Sequence, residues 1–238
     1  NQKLTKGKLT DFKSQEQSLR ETILSDLQNA SSQRYPDHFQ PQELTALQKE
    51  IDQQEQFLYA SSEGFIPRSD DFANLNEYIN GPECLPFVLT APAGMGKSTL
   101  LANWINGLYK GDIKKLPGES LHYRFIGQSD LGGTVNSLLA SLFQELKEIS
   151  HKVNGQVPTD PQRLRNDIYR MLEDTGKIGK TIIVLDSLNQ LDTGLSDLSW
   201  LPYILPPNVK LILSFKEGDE AATNLLQQMQ GKVIHVSL

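Results

Sequence analysis

Apolar residues recur at three and four positions over the first third of the chain. Between Asp11 and about Ser32, the positions Leu19, Ile23, Leu24 and Leu27 share one helical face among Gln, Glu, Ser and Lys, which predicts an amphipathic helix. Tyr35-Pro36 ends it. Pro41, followed by Leu44, Leu47, Ile51, Phe57 and Leu58, predicts a second helix with proline near its first turn. Ser61-Ser62-Glu63-Gly64 is loop-like, and Asp70-Asp71-Phe72 through Ile79 predicts a third helix entered through an acidic cap.

Beyond Gly81-Pro82 the pattern changes to short continuous apolar runs separated by helical periods. Phe87–Thr90, Ser120–Ile126, Thr181–Leu185, Val209–Leu213 and Val233–Val236 read as strands, buried on both faces where the run is unbroken. Lys97 to about Leu108 reads as a helix. A longer one follows the Gly132-Gly133-Thr134 cap, with Val135, Leu138, Leu139, Leu142, Phe143, Leu146 and Ile149 on one face. Asp160-Pro161 opens another, expected to run to about Glu173. Strands alternating with helices predict an α/β fold on a parallel sheet.

Composition narrows the function classes. The 238 residues carry a formal charge of -6, so no overall basic field favours nucleic acid. No apolar run is long enough to span a bilayer, and no membrane partner is expected. The one cysteine, Cys84, forms no intrachain disulfide and reads as a small buried or half-buried thiol. A reducing, cytoplasmic setting follows as an expectation. The absence of an initiating Met and the strand-like final residues lead us to expect that Asn1 and Leu238 are internal to a longer polypeptide.

The chemistry concentrates in Ala91-Pro92-Ala93-Gly94-Met95-Gly96-Lys97-Ser98-Thr99. This fits the phosphate-loop pattern, with Ala91 where that pattern begins with Gly. A strand before it and a helix after it let the backbone of Ala93, Gly94, Met95 and Gly96 form a nest of amides for phosphate oxygens. Lys97 is assigned to the β- and γ-phosphates, Ser98 to Mg²⁺ and Thr99 to a lesser α-phosphate contact. Asp186, at the carboxyl end of a buried strand, is the expected second metal group, since ligands of open α/β sheets bind there.

Hydrolysis also needs a group that orients water. Asn189 and Gln190 stand where many phosphate-loop ATPases have an acid; Gln190 is assigned to water positioning and slow turnover is expected. Ser214 at a strand end is a candidate γ-phosphate sensor, and Lys216 adds positive charge. Phe65-Ile66-Pro67-Arg68 is a candidate cover for base and ribose, with Arg68 in the cofactor set. His38, His122, His151 and His235 lack ligand spacing, and Trp104 and Trp200 read as packing.

The phosphate loop continuing as Ser98-Thr99-Leu100-Leu101-Ala102-Asn103-Trp104 resembles the nucleotide-binding core of STAND ATPases. So do Asp186-Ser187-Leu188-Asn189-Gln190-Leu191-Asp192, Trp200-Leu201-Pro202 and Pro207-Asn208-Val209-Lys210-Leu211-Ile212-Leu213-Ser214. The likeness, over about Phe57 to Leu238, is to the NACHT-like group carrying tetratricopeptide or WD40 repeats. It implies a P-loop NTPase three-layer αβα sandwich with a five-stranded parallel sheet ordered 5-1-4-3-2. Residues 1–60 would then be an N-terminal helical segment or linker, and 61–238 the NTPase domain, ending before the helical and winged-helix segments of such proteins. The implied function is a slow ATPase in which ADP holds a closed state and exchange for ATP permits self-association. A small-molecule P-loop kinase is the nearest alternative, although no arginine follows Arg170 to build a lid; a non-catalytic, nucleotide-stabilised scaffold is another. No Asn-Lys-x-Asp segment occurs, which favours adenine over guanine.

Overall fold

The computed structural model describes residues 22–27, 29–30, 44–61, 68–110, 119–129, 131–150, 156–196, 198–218 and 220–238. The chain forms two compact units, Asn1–Leu44 and Thr45–Leu238. In the first, residues 22–27 and 29–30 are helical (α1), within the span where apolar periodicity predicts a helix. Leu19, Tyr35-Pro36 and Pro41 lie outside the described residues, as does Phe65-Ile66-Pro67.

The second unit runs α2 (Ala46–Ala60), α3 (Ser69–Asn80), β1 (Phe87–Ala91), α4 (Lys97–Lys110), β2 (Ser120–Phe125) and α5 (Val135–Ser150). It continues through α6 (Pro161–Ile178), β3 (Thr181–Asp186), the short 3₁₀ turn Leu188–Gln190, β4 (Val209–Lys216), α7 (Glu220–Met229) and β5 (Ile234–Ser237). All strand pairs are parallel, in the order β2-β3-β4-β1-β5. This is the 5-1-4-3-2 order read from the other edge. Helices cover both faces, giving the P-loop NTPase-like αβα fold.

Central strands are apolar without alternation because both of their faces are roofed. Ile183, Leu185, Leu211 and Leu213 face Leu138 and Leu142 of α5, Ile168 of α6 and Leu225 of α7. Phe87, Leu89, Ile182, Val184 and Ile212 face Leu75 and Ile79 of α3 and Leu101 and Trp104 of α4. Trp104 also places its indole N–H on Asn76 Oδ1 at 2.9 Å, so its packing role is satisfied at the polar end too.

Several local expectations change. Helix α2 starts at Ala46, not near Pro41, because Thr45 and Gln48 form a reciprocal capping box. It belongs to the compact unit Thr45–Leu238. Helix α3 is capped at Arg68 without a side-chain bond; Asp70 and Asp71 sit in its first turn, where they face the positive end of the helix dipole. Cys84 is exposed, not buried. Among the described residues no helix is long and apolar enough to cross a membrane.

Helix α6 runs past Glu173 to Ile178. Within the added turn, the Thr175 hydroxyl bonds back to the Met171 and Leu172 carbonyls. Gly176 is there because the backbone of Pro207 crosses it: a Cβ would run into the Pro207 carbonyl oxygen. Gly176→Ala is therefore expected to destabilise the unit by about 1–3 kcal/mol through overpacking. Chemical denaturation checks this, and an unchanged midpoint would show that the crossing relaxes freely.

Candidate functional site

The C-terminal ends of β1, β3 and β4 converge on one crest. The turn from β1 to α4 carries Gly94 and Gly96 at φ 81° and 83°, conformations that only glycine adopts without strain. Residues Pro92 to Met95 are exposed, and the α4 ladder starts with Leu100 N–H on Gly96 O at 2.8 Å. The amides of the first turn, including those of Lys97, Ser98 and Thr99, therefore lack helical acceptors and open on the loop's concavity. Arg68 Nη2 donates to Met95 O at 3.2 Å, so the structure brings this predicted residue to the rim of the loop.

Lys97 is buried beneath the loop. Its ammonium donates to Ala91 O at 2.9 Å and Pro92 O at 3.3 Å. Burial holds its pKa below the ordinary lysine value, while Asp186 and Glu217 act in the opposite direction. The loop's backbone thus parks a cation that has only neutral hydrogen-bond acceptors.

Asp186 ends β3 at 1% exposure. A buried carboxylate needs donors, and three hydroxyls supply them. Ser98 Oγ donates to Oδ2 at 2.5 Å and Ser187 Oγ to the same oxygen at 3.0 Å. Ser214 Oγ donates to Oδ1. Ser98 and Asp186 are 88 residues apart in the chain, and the fold makes them direct partners.

Ser214, the candidate γ-phosphate sensor, packs against Asp186. It is fully buried, and its hydroxyl accepts from the Ser187 amide at 3.0 Å as well as serving Asp186. Its place is behind the carboxylate, where it sets the orientation of that group. Ser187, in the left-handed region at φ 63°, was not legible as a site residue, because serine carries no signal for that conformation.

The two amides after Asp186 have separate positions. Asn189 Oδ1 accepts from the Lys216 amide at 2.9 Å and ties the 3₁₀ turn to the end of β4. Gln190 is exposed and lies over Gly127, where a Cβ would collide with its amide oxygen. Gly127 also has φ 82°, a backbone conformation that favours glycine. On the other side of β1, Thr90 Oγ1 donates to Glu217 Oε2 at 2.9 Å and meets His235 Nε2 at 2.8 Å. Because the threonine proton is given to Glu217, His235 is the donor in that second bond.

The site residues suit a hard cation with phosphate. One carboxylate and one serine hydroxyl, already in contact, are the kind of oxygen donors that a hard cation bound with phosphate would take from a protein. Among the described residues no group of three or more His, Cys, Asp or Glu could hold a metal, so an all-protein cage is not the arrangement.

No protein-family model matches the chain. It is 30% identical over 147 residues to nephrocystin-3 of Homo sapiens, covering 60% of this chain and 11% of that protein. With the NACHT domain- and WD repeat-containing protein 1 of Mus musculus it shares 29% identity over 203 residues, covering 79% of this chain and 12% of that protein. The chain therefore spans about a tenth of the length of these relatives. A solved structure of Drosophila ORC bound to AT-rich DNA and Cdc6 aligns with a TM-score of 0.45 at 14% identity, over 79% of this chain and 57% of that one. The fold assignment rests on the sheet itself.

The Lys97 geometry has a pH consequence. With the folded pKa below the unfolded value, the unfolded chain binds more protons between the two, and stability rises with pH through that interval. Lys97→Met is expected to flatten this rise on the alkaline side, below the ordinary lysine pKa of about 10.5, and to raise the midpoint of the nucleotide-free protein at neutral pH. Denaturant titrations across that range check it; an equally steep rise in the variant would assign it to another group.

Proposed function

We propose that the Thr45–Leu238 unit binds an adenine nucleotide with Mg²⁺, hydrolyses ATP slowly, and acts as the regulatory module of a longer protein whose self-association follows its nucleotide state. The observation that carries this reading is the Ser98–Asp186 contact at 2.5 Å beneath an exposed phosphate-loop turn. A glycine-rich turn without that partnership would be ordinary strand-to-helix punctuation.

In this reading the first-turn amides of α4 and the nest at Gly94 and Gly96 receive phosphate oxygens. Lys97 exchanges the Ala91 and Pro92 carbonyls for the β- and γ-phosphates, which supply the counter-charge that burial denies it. Ser98 and Asp186 would hold Mg²⁺, which would supply charge neutralisation to the bound phosphates. Ser214 and Ser187 keep the Asp186 carboxylate oriented. Arg68 lines the rim beside Met95 and is placed to approach the nucleotide from the solvent side.

Gln190 orients the attacking water through its amide. Neither it nor Asn189 can remove a proton as a carboxylate would, so turnover without a partner stays below ~10 s⁻¹, a typical enzyme rate. The likeness to relatives bearing NACHT and repeat domains supports a regulatory role, and the net charge of -6 supports a function without nucleic acid. A cytoplasmic location belongs to the same proposal, supported by the low cysteine content.

Titration calorimetry with ATP, ADP and Mg²⁺ tests the reading, alongside ion-exchange identification of nucleotide released on denaturing fresh protein. Lys97→Ala is expected to weaken ATP and ADP binding at least about 100-fold with the fold retained, the scale of a lost charge-assisted contact. Asp186→Ala is expected to abolish the Mg²⁺ enhancement of ATP binding while ADP binding falls less. Unchanged affinity in Lys97→Ala would remove the phosphate loop from function.

A further inference from the structure

Helix α2 has an unusual inner face. Its buried positions are Leu47, Glu50, Gln54 and Leu58, so two of the four are polar. They meet β2, an edge strand of the sheet. Gln54 Oε1 accepts from the Phe125 amide at 2.6 Å, and Gln54 Nε2 lies 3.4 Å from the Phe125 carbonyl. One glutamine side chain thereby takes the place of a neighbouring strand on the open edge. Gln54 Nε2 also reaches Ser129 Oγ at 3.1 Å, and Ser129 Oγ donates to Glu50 Oε1 at 2.8 Å. Glu50 Oε1 lies 3.7 Å from Arg124 Nε, and Arg124 Nη2 donates to Glu145 Oε2 of α5 at 2.7 Å.

These bonds grip the start of the loop from β2 to α5, and the other side of that loop abuts the turn after Asp186. The Ile126 amide donates to Asp186 O at 3.1 Å, Gly127 lies under Gln190, and the Asp192 amide donates to Gly133 O at 2.9 Å. The loop is thus held between α2 and the segment Asp186–Asp192.

We propose that α2 is part of the hydrolytic side of the nucleotide site, with Gln54 a positioning residue that sets Gln190 through this loop. The inference rests on the nucleotide reading above for its catalytic consequence, although the mechanical coupling is a property of the protein alone. A polar inner face suits such coupling, because hydrogen bonds to one backbone register fix position along the strand, which apolar contact does less sharply.

Gln54→Leu keeps the helix and the side-chain size but removes every bond of the amide. In nucleotide-free protein, amide hydrogen exchange at Ile126 and Asp192 is expected to accelerate about tenfold or more, with Leu100 in α4 unchanged. Exposed Glu55→Gln on the same helix, as a control, is expected to leave all three unchanged. With nucleotide, kcat is expected to fall about tenfold while the ADP Kd stays within about twofold, and Gln54→Leu/Gln190→Ala to be no slower than Gln190→Ala alone. Unchanged exchange at Ile126 and Asp192, equal acceleration at Leu100, or additive rate losses in the double variant would each overturn the proposal. Should the parent neither bind nor hydrolyse nucleotide, the functional reading falls separately and the exchange comparison still decides the coupling.

Discussion

A carboxylate buried at the end of a central strand organises this structure. Asp186 is removed from water, and an ionised carboxylate there is tolerable only if its lone pairs are filled. The three hydroxyls that fill them come from α4, from the turn after β3 and from β4. Satisfying one side chain therefore draws three separate segments to one point, and that point lies beside the phosphate-loop turn. The Ser187 amide completes the set by donating to the Ser214 hydroxyl, which explains why a non-glycine residue is held in a left-handed conformation there.

Lys97 is the complement of that arrangement. Its ammonium rests on the carbonyls of the loop it serves, a close resting place but a poor one for a charge. Lys97 and Asp186 are thus two buried ionisable groups that hydrogen-bond to neutral partners, carbonyls for one and hydroxyls for the other; under the proposed function, phosphate and a divalent ion would satisfy both better. Functional sites often show this conflict between local stability and ligand affinity.

The edge of the sheet poses a different problem. An exposed β2 would leave the Phe125 amide and carbonyl unpaired and open to another strand. Gln54 solves it from a helix, and Arg124 joins α2 and α5 through Glu50 and Glu145. The same contacts carry the position of α2 to the turn bearing Asn189 and Gln190. Edge protection and site geometry are thereby served by one set of hydrogen bonds.

The chain's own pattern determined the five parallel strands, the phosphate-loop turn, and Asp186 at a strand end, because each has a local signature: unbroken apolar runs, glycines before Lys97, and a carboxylate closing a buried strand. The sheet order came from resemblance and the structure bears it out. Only tertiary structure decided the rest. Ser214 meets Asp186 because the contacts made near a strand's carboxyl end are set by neighbours distant in the chain, here 28 residues away. Helix α6 passes Gly176 because another backbone crosses there, and Gln54 looks like any surface glutamine until β2 is laid beside it. Periodicity reports which face a residue takes; it carries no information about which distant group will meet that face.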